Sequence, residues 1–273
     1  MNGQGDALRH SDPDPKRVDA QEGGEITVIC RFTKPLVTCR FNIPGETADI
    51  KLNPNWAPRT DNYRYTGKSL EEGECGITIL RAQESNHGNA TCTMDPNDGL
   101  ADIVGNFEII IAKAPSPPII KVEHDSQEAD GEIEAECSAV DGRPAAEINW
   151  FIDDQPLGSG TSEVVQSLEG EASFFATISK ISYRLKTEDH TKHLICRATH
   201  IAYQGGFSDS SHQLVVNYRP LPQAEFVVSG LEIGATTNIG PIQIQANPRP
   251  SVRWTVDGTV IDEGQQVDRY TAR

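Results

Sequence analysis

The sequence is short of basic charge, of aromatic side chains and of long apolar runs. Lys and Arg number 24 against 40 Asp and Glu, a formal net charge of -16. A chain this acidic lacks the electrostatic footprint of a nucleic-acid binder. Aromatic residues make up 6% of the chain. The longest apolar stretches are short, as in residues 107–112, where Glu108 interrupts the run. Nothing approaches the roughly 20 apolar residues of a membrane-spanning helix. The polar first 17 residues, with Asp12-Pro13-Asp14-Pro15, have no apolar core of the kind a secretory signal peptide carries. Residues 1–17 therefore read as a disordered tail. Helical periodicity is absent over any useful length. So are Gly-x-Ser-x-Gly, His-Glu-x-x-His and a phosphate-cradling glycine loop, which leaves catalysis without candidate residues and calls for no cofactor, metal or small-molecule substrate.

What the chain does have is six cysteines in strand-like surroundings. Cys30 and Cys92 are 62 apart, and Cys137 and Cys196 are 59 apart. Ile26, Val28 and Cys30 fall on one face of an alternating run, as do Ile133, Ala135 and Cys137. Ala90, Cys92 and Met94 alternate likewise, and so do Leu194, Cys196 and Ala198. Trp150 lies 13 residues after Cys137, on one face with Ile148 and Ile152. Cysteine, tryptophan, cysteine at this spacing is the signature of an immunoglobulin-type β-sandwich, in which two inward cysteines bridge the sheets and the indole packs on the bridge. The fold class is therefore all-β, a tandem of immunoglobulin-like sandwiches.

Proline-dense segments at residues 112–118 and 217–222 stiffen two crossings. They delimit an immunoglobulin-like domain at 18–113 and a second at 114–217. A partial third spans 218–273, where Ile242 stands 12 residues before Trp254 in place of a bridging cysteine. Trp150 and Trp254 are the expected core tryptophans. Half a sandwich leaves a bare core face, so the reading expects the chain to continue past Arg273, with a membrane anchor implied only by that further sequence.

Four cysteines in the first domain allow three connectivities. Spacing favours Cys30–Cys92. Val37, Cys39, Phe41 and Ile43 alternate inward, as do Cys75, Ile77 and Ile79, so Cys39–Cys75 faces the same core. Trp56 comes too late to be that domain's core indole. His190, His193, Cys196 and His200 superficially suggest a zinc cluster, but positions three apart on a strand point to opposite faces, and the three histidines read as solvated. Asn89-Ala90-Thr91 is a glycosylation sequon whose asparagine points outward if Ala90 and Cys92 point inward. Trp56, Arg59, Tyr63, Arg64 and Tyr65 supply the arginine and aromatic composition of a binding surface.

These residues also resemble one family. Cys30-Arg31, Cys39-Arg40, Ile43-Pro44-Gly45-Glu46, Leu52-Asn53-Pro54-Asn55-Trp56, Gly73-Glu74-Cys75-Gly76 and Ser85-Asn86 before Gly88 carry the likeness in the first domain. Asp141-Gly142-Arg143-Pro144 and Trp150-Phe151-Ile152-Asp153 carry it in the second, and Trp254-Thr255-Val256-Asp257-Gly258 in the third. The pattern is similar to that of fasciclin III, an insect immunoglobulin-superfamily family. The resemblance implies a cell-surface, extracellular adhesion glycoprotein that pairs with another copy of itself on an apposed cell. Its implied settings are axon guidance, synaptic target recognition and epithelial junctions. A receptor for a different protein ligand is the alternative, and an intracellular muscle-type array a third reading that paired cysteines oppose.

Overall fold

The structure is a computed structural model and describes residues 9–55, 61–96, 98–124, 126–167, 174–223, 229, 232–267 and 269–272. The first group of strands is β1 (Arg9–His10), β2 (Arg17–Gln21), β3 (Ile26–Arg31), β4 (Thr38–Asn42), β5 (Ile50–Lys51), β6 (Tyr63–Thr66), β7 (Glu74–Ile79), β8 (Gly88–Asp95) and β9 (Ile103–Ala112). One sheet runs β1-β9-β8-β4-β5, with β2 also along β9, and the other runs β3-β7-β6. The alternating residues make this arrangement. Ile26, Val28, Cys30, Ile77 and Ile79 from one sheet meet Phe41, Cys92, Met94 and Ile109 from the other, all fully buried. Cys30–Cys92 joins the sheets across this core, and Cys39–Cys75 joins them a second time. Val37 departs from the inward run and is exposed, because it precedes β4.

The expected tail is corrected from Arg9 onward. β1 and β2 both pair in parallel with β9. Between them, Asp14 and Ile29 exchange backbone hydrogen bonds of 2.9 and 3.0 Å, Ser11 Oγ donates to the Arg31 carbonyl, and Arg31 pairs with Asp14. The segment is held by its backbone and polar ends. Its buried apolar side chain is a single one, Pro13 beside Gly105, so a hydrophobic pattern does not reveal it. Residues 1–8 lie outside those described.

The second group is β10 (Ile119–Val122), β11 (Gln127–Glu128), β12 (Glu132–Gly142), β13 (Glu147–Ile152), β14 (Gln155–Gly158), β15 (Thr161–Ser167), β16 (Phe174–Arg184), β17 (His193–Thr199), β18 (Phe207–Gln213) and β19 (Val216–Asn217). The sheets are β10-β12-β16-β15 and β14-β13-β17-β18, with β11 pairing β19. Cys137 on β12 is bonded to Cys196 on β17, and Trp150 on β13 lies opposite Cys196 in register. The indole is fully buried, and its Nε1 donates to Ser179 Oγ, which in turn donates to the Ser159 carbonyl. A buried N–H would otherwise go unpaired at a cost of about 1–3 kcal/mol.

After Tyr218 come β20 (Arg253–Val256), β21 (Thr259–Asp262), β22 (Gln266–Val267) and β23 (Tyr270–Thr271), paired as two hairpins. Trp254 faces Ile261 but is only half buried, which corrects its reading as a core tryptophan. Among the described residues, the clusters of buried apolar side chains belong to the first two groups, so no core closes over this indole.

One arginine fixes how the first sandwich meets the second. The 3-10 turn Glu84–Asn86 precedes β8, and buried Asn86 ties it down by accepting from Gln83 N and donating to the Pro44 carbonyl. This places Glu84 against Arg143, a guanidinium only 1% exposed that comes from the loop after β12. Arg143 Nη2 donates to Glu84 at 2.5 Å, its Nε donates to the Ile111 carbonyl at 2.8 Å, and its plane lies 5.5 Å from the Phe174 ring. Arg143 and Lys113 also exchange backbone hydrogen bonds. Tyr203 donates to the Ser116 carbonyl, and Gln21 to that of Ile201. A buried charge is tolerated only when it is paired in this way. We expect Arg143→Ala to free the angle between the two sandwiches. Small-angle scattering of the chain should then fit a broad distribution of shapes where the parent fits one; an unchanged profile would remove Arg143 from this role.

Candidate functional site

Of the five residues proposed for a binding surface, Trp56 and Arg59 lie outside the described residues. Tyr63, Arg64 and Tyr65 form most of β6, and there the period of two decides their fate. Tyr63 points into the core, 4% exposed, and its hydroxyl donates to Glu46 Oε1 at 2.6 Å. Burial, then the Glu46 carboxylate, pushes its pKa well above the usual tyrosine range. Tyr65 lies on the same face, half buried, donating to the Glu74 carbonyl at 2.6 Å. Burial first, and the charge on Glu74 second, push it up to about 12. The reading of these tyrosines as surface anchors is therefore corrected: their rings are packing material with a polar tip. Only Arg64 projects outward, 3.9 Å from the Glu25 carboxylate.

Asn89 is exposed on β8, opposite Glu108 of β9. It shares the outward face of this sheet with Thr91, Thr93 and Arg40, the last paired with Asp102 at 2.9 Å and Asp49 at 3.4 Å. On β9 the same face carries Glu108 and Asn106, and then Val104 opposite Thr93.

The second sandwich presents a surface that the residue pattern did not single out. Arg197 on β17 lies 4.1 Å from the Phe207 ring centre and 5.1 Å from that of Phe151, and it grips Asp209 with two hydrogen bonds of 2.8 and 2.7 Å. Hydrogen bonding to Asp209 raises the guanidinium pKa further. The two-pronged grip holds the arginine flat between two partly exposed rings, the composition found at the centre of protein interfaces. Part of the signal was present in sequence: Arg197 and Phe151 alternate with core positions on their strands, whereas β18, which carries Phe207 and Asp209, has no buried position.

The histidines are less uniform than their sequence suggested. His193 is exposed, 3.6 Å from Asp153. His190 accepts from Val216 N and meets the Tyr218 ring edge-on. His200 is not solvated but buried, its Nδ1 accepting from Ala202 N and its Nε2 3.0 Å from the Pro144 carbonyl. That pattern fits the tautomer protonated at Nε2, and burial lowers its pKa. The turn after β17 folds the ring back against the loop carrying Arg143. Among the described residues no three metal-binding side chains converge. No helix among them is long and apolar enough to cross a membrane.

Two facing sheets, bridged at their centres and closed over a buried indole, are the immunoglobulin-type fold. Residues 114–205 match the CD80-like C2-set immunoglobulin domain. In sequence the chain resembles fasciclin III. It is 30% identical over 268 residues to Fasciclin-3 of Drosophila melanogaster, covering 95% of this chain and 52% of that protein. It is 24% identical over 253 residues to human Cell adhesion molecule 4, covering 88% of this chain and 59% of the relative. The chain thus spans about half the length of the curated relatives it matches. The solved full ectodomain of mouse nectin-like molecule 4 covers 75% of this chain and 68% of its own at 21% identity, with a TM-score of 0.44.

Tyr63→Phe should lower stability by about 1 kcal/mol, the worth of one hydrogen bond, in a urea titration followed by fluorescence. Tyr63→Ala should instead collapse the first sandwich. Should Tyr63→Ala unfold no earlier than the parent, the ring is not the packing element described.

Proposed function

We propose that this chain is part of an extracellular cell-adhesion protein and binds a second copy of itself on an apposed cell. The observation that carries the reading is the similarity to Fasciclin-3, which runs through both bridged sandwiches and 95% of the chain. The relative named Cell adhesion molecule 4 supports it. Three disulfides suit an oxidising, extracellular setting. The distribution of charge favours the first sandwich for self-contact. Residues 114–217 hold 17 acidic and 7 basic side chains, whereas residues 18–113 hold 14 and 9. Two copies of the first approach each other with less repulsion, although salt screens exposed charge beyond about 8 Å.

Asn89 is the glycan acceptor of this reading. An attached glycan stands on the outward face of β8 and takes that part of the face out of any close contact. On protein secreted from an insect or mammalian cell, Asn89→Gln should migrate faster in a denaturing gel. The parent should shift to the same position after glycosidase treatment; a parent indifferent to the enzyme refutes the assignment.

Beads carrying the full chain should clump when mixed with themselves, and soluble chain in excess should disperse them. Beads that stay separate at high coating density would count against self-recognition and turn the search to a different protein ligand.

A further inference from the structure

The second sandwich has four sheet edges among the described residues, and three are blunted. β10 follows Pro117-Pro118 and carries Lys121, β14 carries Pro156, and β18 is polar with Asp209 and His212 within it. These are the ordinary means by which proteins stop sheets from joining edge to edge. β15 is the exception. It ends the sheet β10-β12-β16-β15, with β16 as its strand partner. Its seven residues contain no proline, lysine or arginine, and their one charge is Glu163. Residues 161–166 are all exposed. Val164 and Val165 at the centre are 53% and 44% exposed, and because they are adjacent, both sides of the strand are apolar there.

We propose that β15 is a self-pairing edge: two copies of the chain join β15 to β15 antiparallel, making one continuous eight-stranded sheet from two four-stranded ones. Antiparallel pairing about a two-fold axis normal to the sheet keeps each residue on its own side, so residues of like parity face one another. Centred on Val164, the register sets Val164 against Val164 and Glu163 against Val165. Centred on Val165, it sets Val165 against itself and Val164 against Gln166. In neither register does Glu163 meet its own copy, so the like-charge penalty of cross-strand pairs is avoided. A second copy of this edge can be the occupant because the one charge of the strip, Glu163, faces an uncharged residue in either register. The sandwich carries 17 acidic against 7 basic side chains, and two such bodies repel wherever their acidic faces meet. A seven-residue strip with one charge is where they can approach. The contact is separate from adhesion across two cells, since it joins copies side by side and needs no apposed surface.

Sedimentation velocity of the full glycosylated chain tests this. A reversible dimer should appear with rising concentration and tighten between roughly 50 and roughly 500 mM salt as charge is screened. Val164→Lys in the register centred on Val164, or Val165→Lys in the register centred on Val165, sets a lysine against itself and should weaken the dimer about tenfold or more. Either change lies at an exposed position, so its melting temperature should match the parent's. Under mild oxidation Val164→Cys or Val165→Cys should form a disulfide-linked dimer, whichever is the central position, while Ser162→Cys should not. A chain that stays monomeric at both salt concentrations overturns the proposal, as does a dimer indifferent to both Val164→Lys and Val165→Lys. Bead clumping by the Val164→Lys variant reports separately on adhesion, so the two readings fail independently.

Discussion

Everything in the second sandwich is built around one link between sheets, Cys137 to Cys196, with Trp150 seated opposite it. A bond closing a loop of this length removes about 4 kcal/mol of unfolded-chain entropy in the loop-closure account. It also fixes which side of β12, β13 and β17 is inside, because a one-residue slip would turn the cysteine and the indole outward together. Among the described residues, the first sandwich has no such indole. It has instead a second link, Cys39–Cys75, between a strand of each sheet.

The parts of the fold that obey a period of two were legible. Cys30, Cys92, Cys137, Cys196 and Trp150 sit on alternating runs, and alternation is a local property that sequence displays. Three features were not legible, each for a different reason. Residues 9–17 join their sheet through backbone groups, which every residue has. Tyr63 and Tyr65 have a composition shared by cores and interfaces, and only the phase of β6 separates the two. Arg143 reads as an ordinary loop arginine. Its burial depends on Glu84 and Ile111 from the preceding sandwich, which no local window contains. Trp254 was misread in the opposite direction, since a residue with the right spacing is a core residue only where a core closes over it. The binding surface was the least legible, because complementarity to a partner leaves no periodic mark.

Arg143 also connects fold to function. An adhesion module transmits orientation only if its units do not swing freely, and inter-domain freedom is the usual state of a proline-rich crossing with a small interface. A guanidinium held by Glu84 and the Ile111 carbonyl makes this elbow a single packed unit. The polar cost is visible: Arg143 Nη1, Glu84 Oε2 and His87 Nδ1 are buried without a hydrogen-bond partner. Burial, with Arg143 next, lowers the His87 pKa, so neutral histidine is favoured at the elbow.

The parallel course of β2 and β9 has a mechanical consequence. Tension along the chain pulls on the start of β2 and the end of β9 in opposite directions. Their five paired residues then bear load in shear, all at once, rather than unzipping one by one. In the second sandwich the corresponding parallel pair, β11 with β19, has two paired residues. Under load that seam gives way sooner, and the Cys137–Cys196 bond then caps how far the chain can lengthen. A protein pulled between two anchored surfaces would thus have a stiff unit and a yielding one in series, with covalent stops in both.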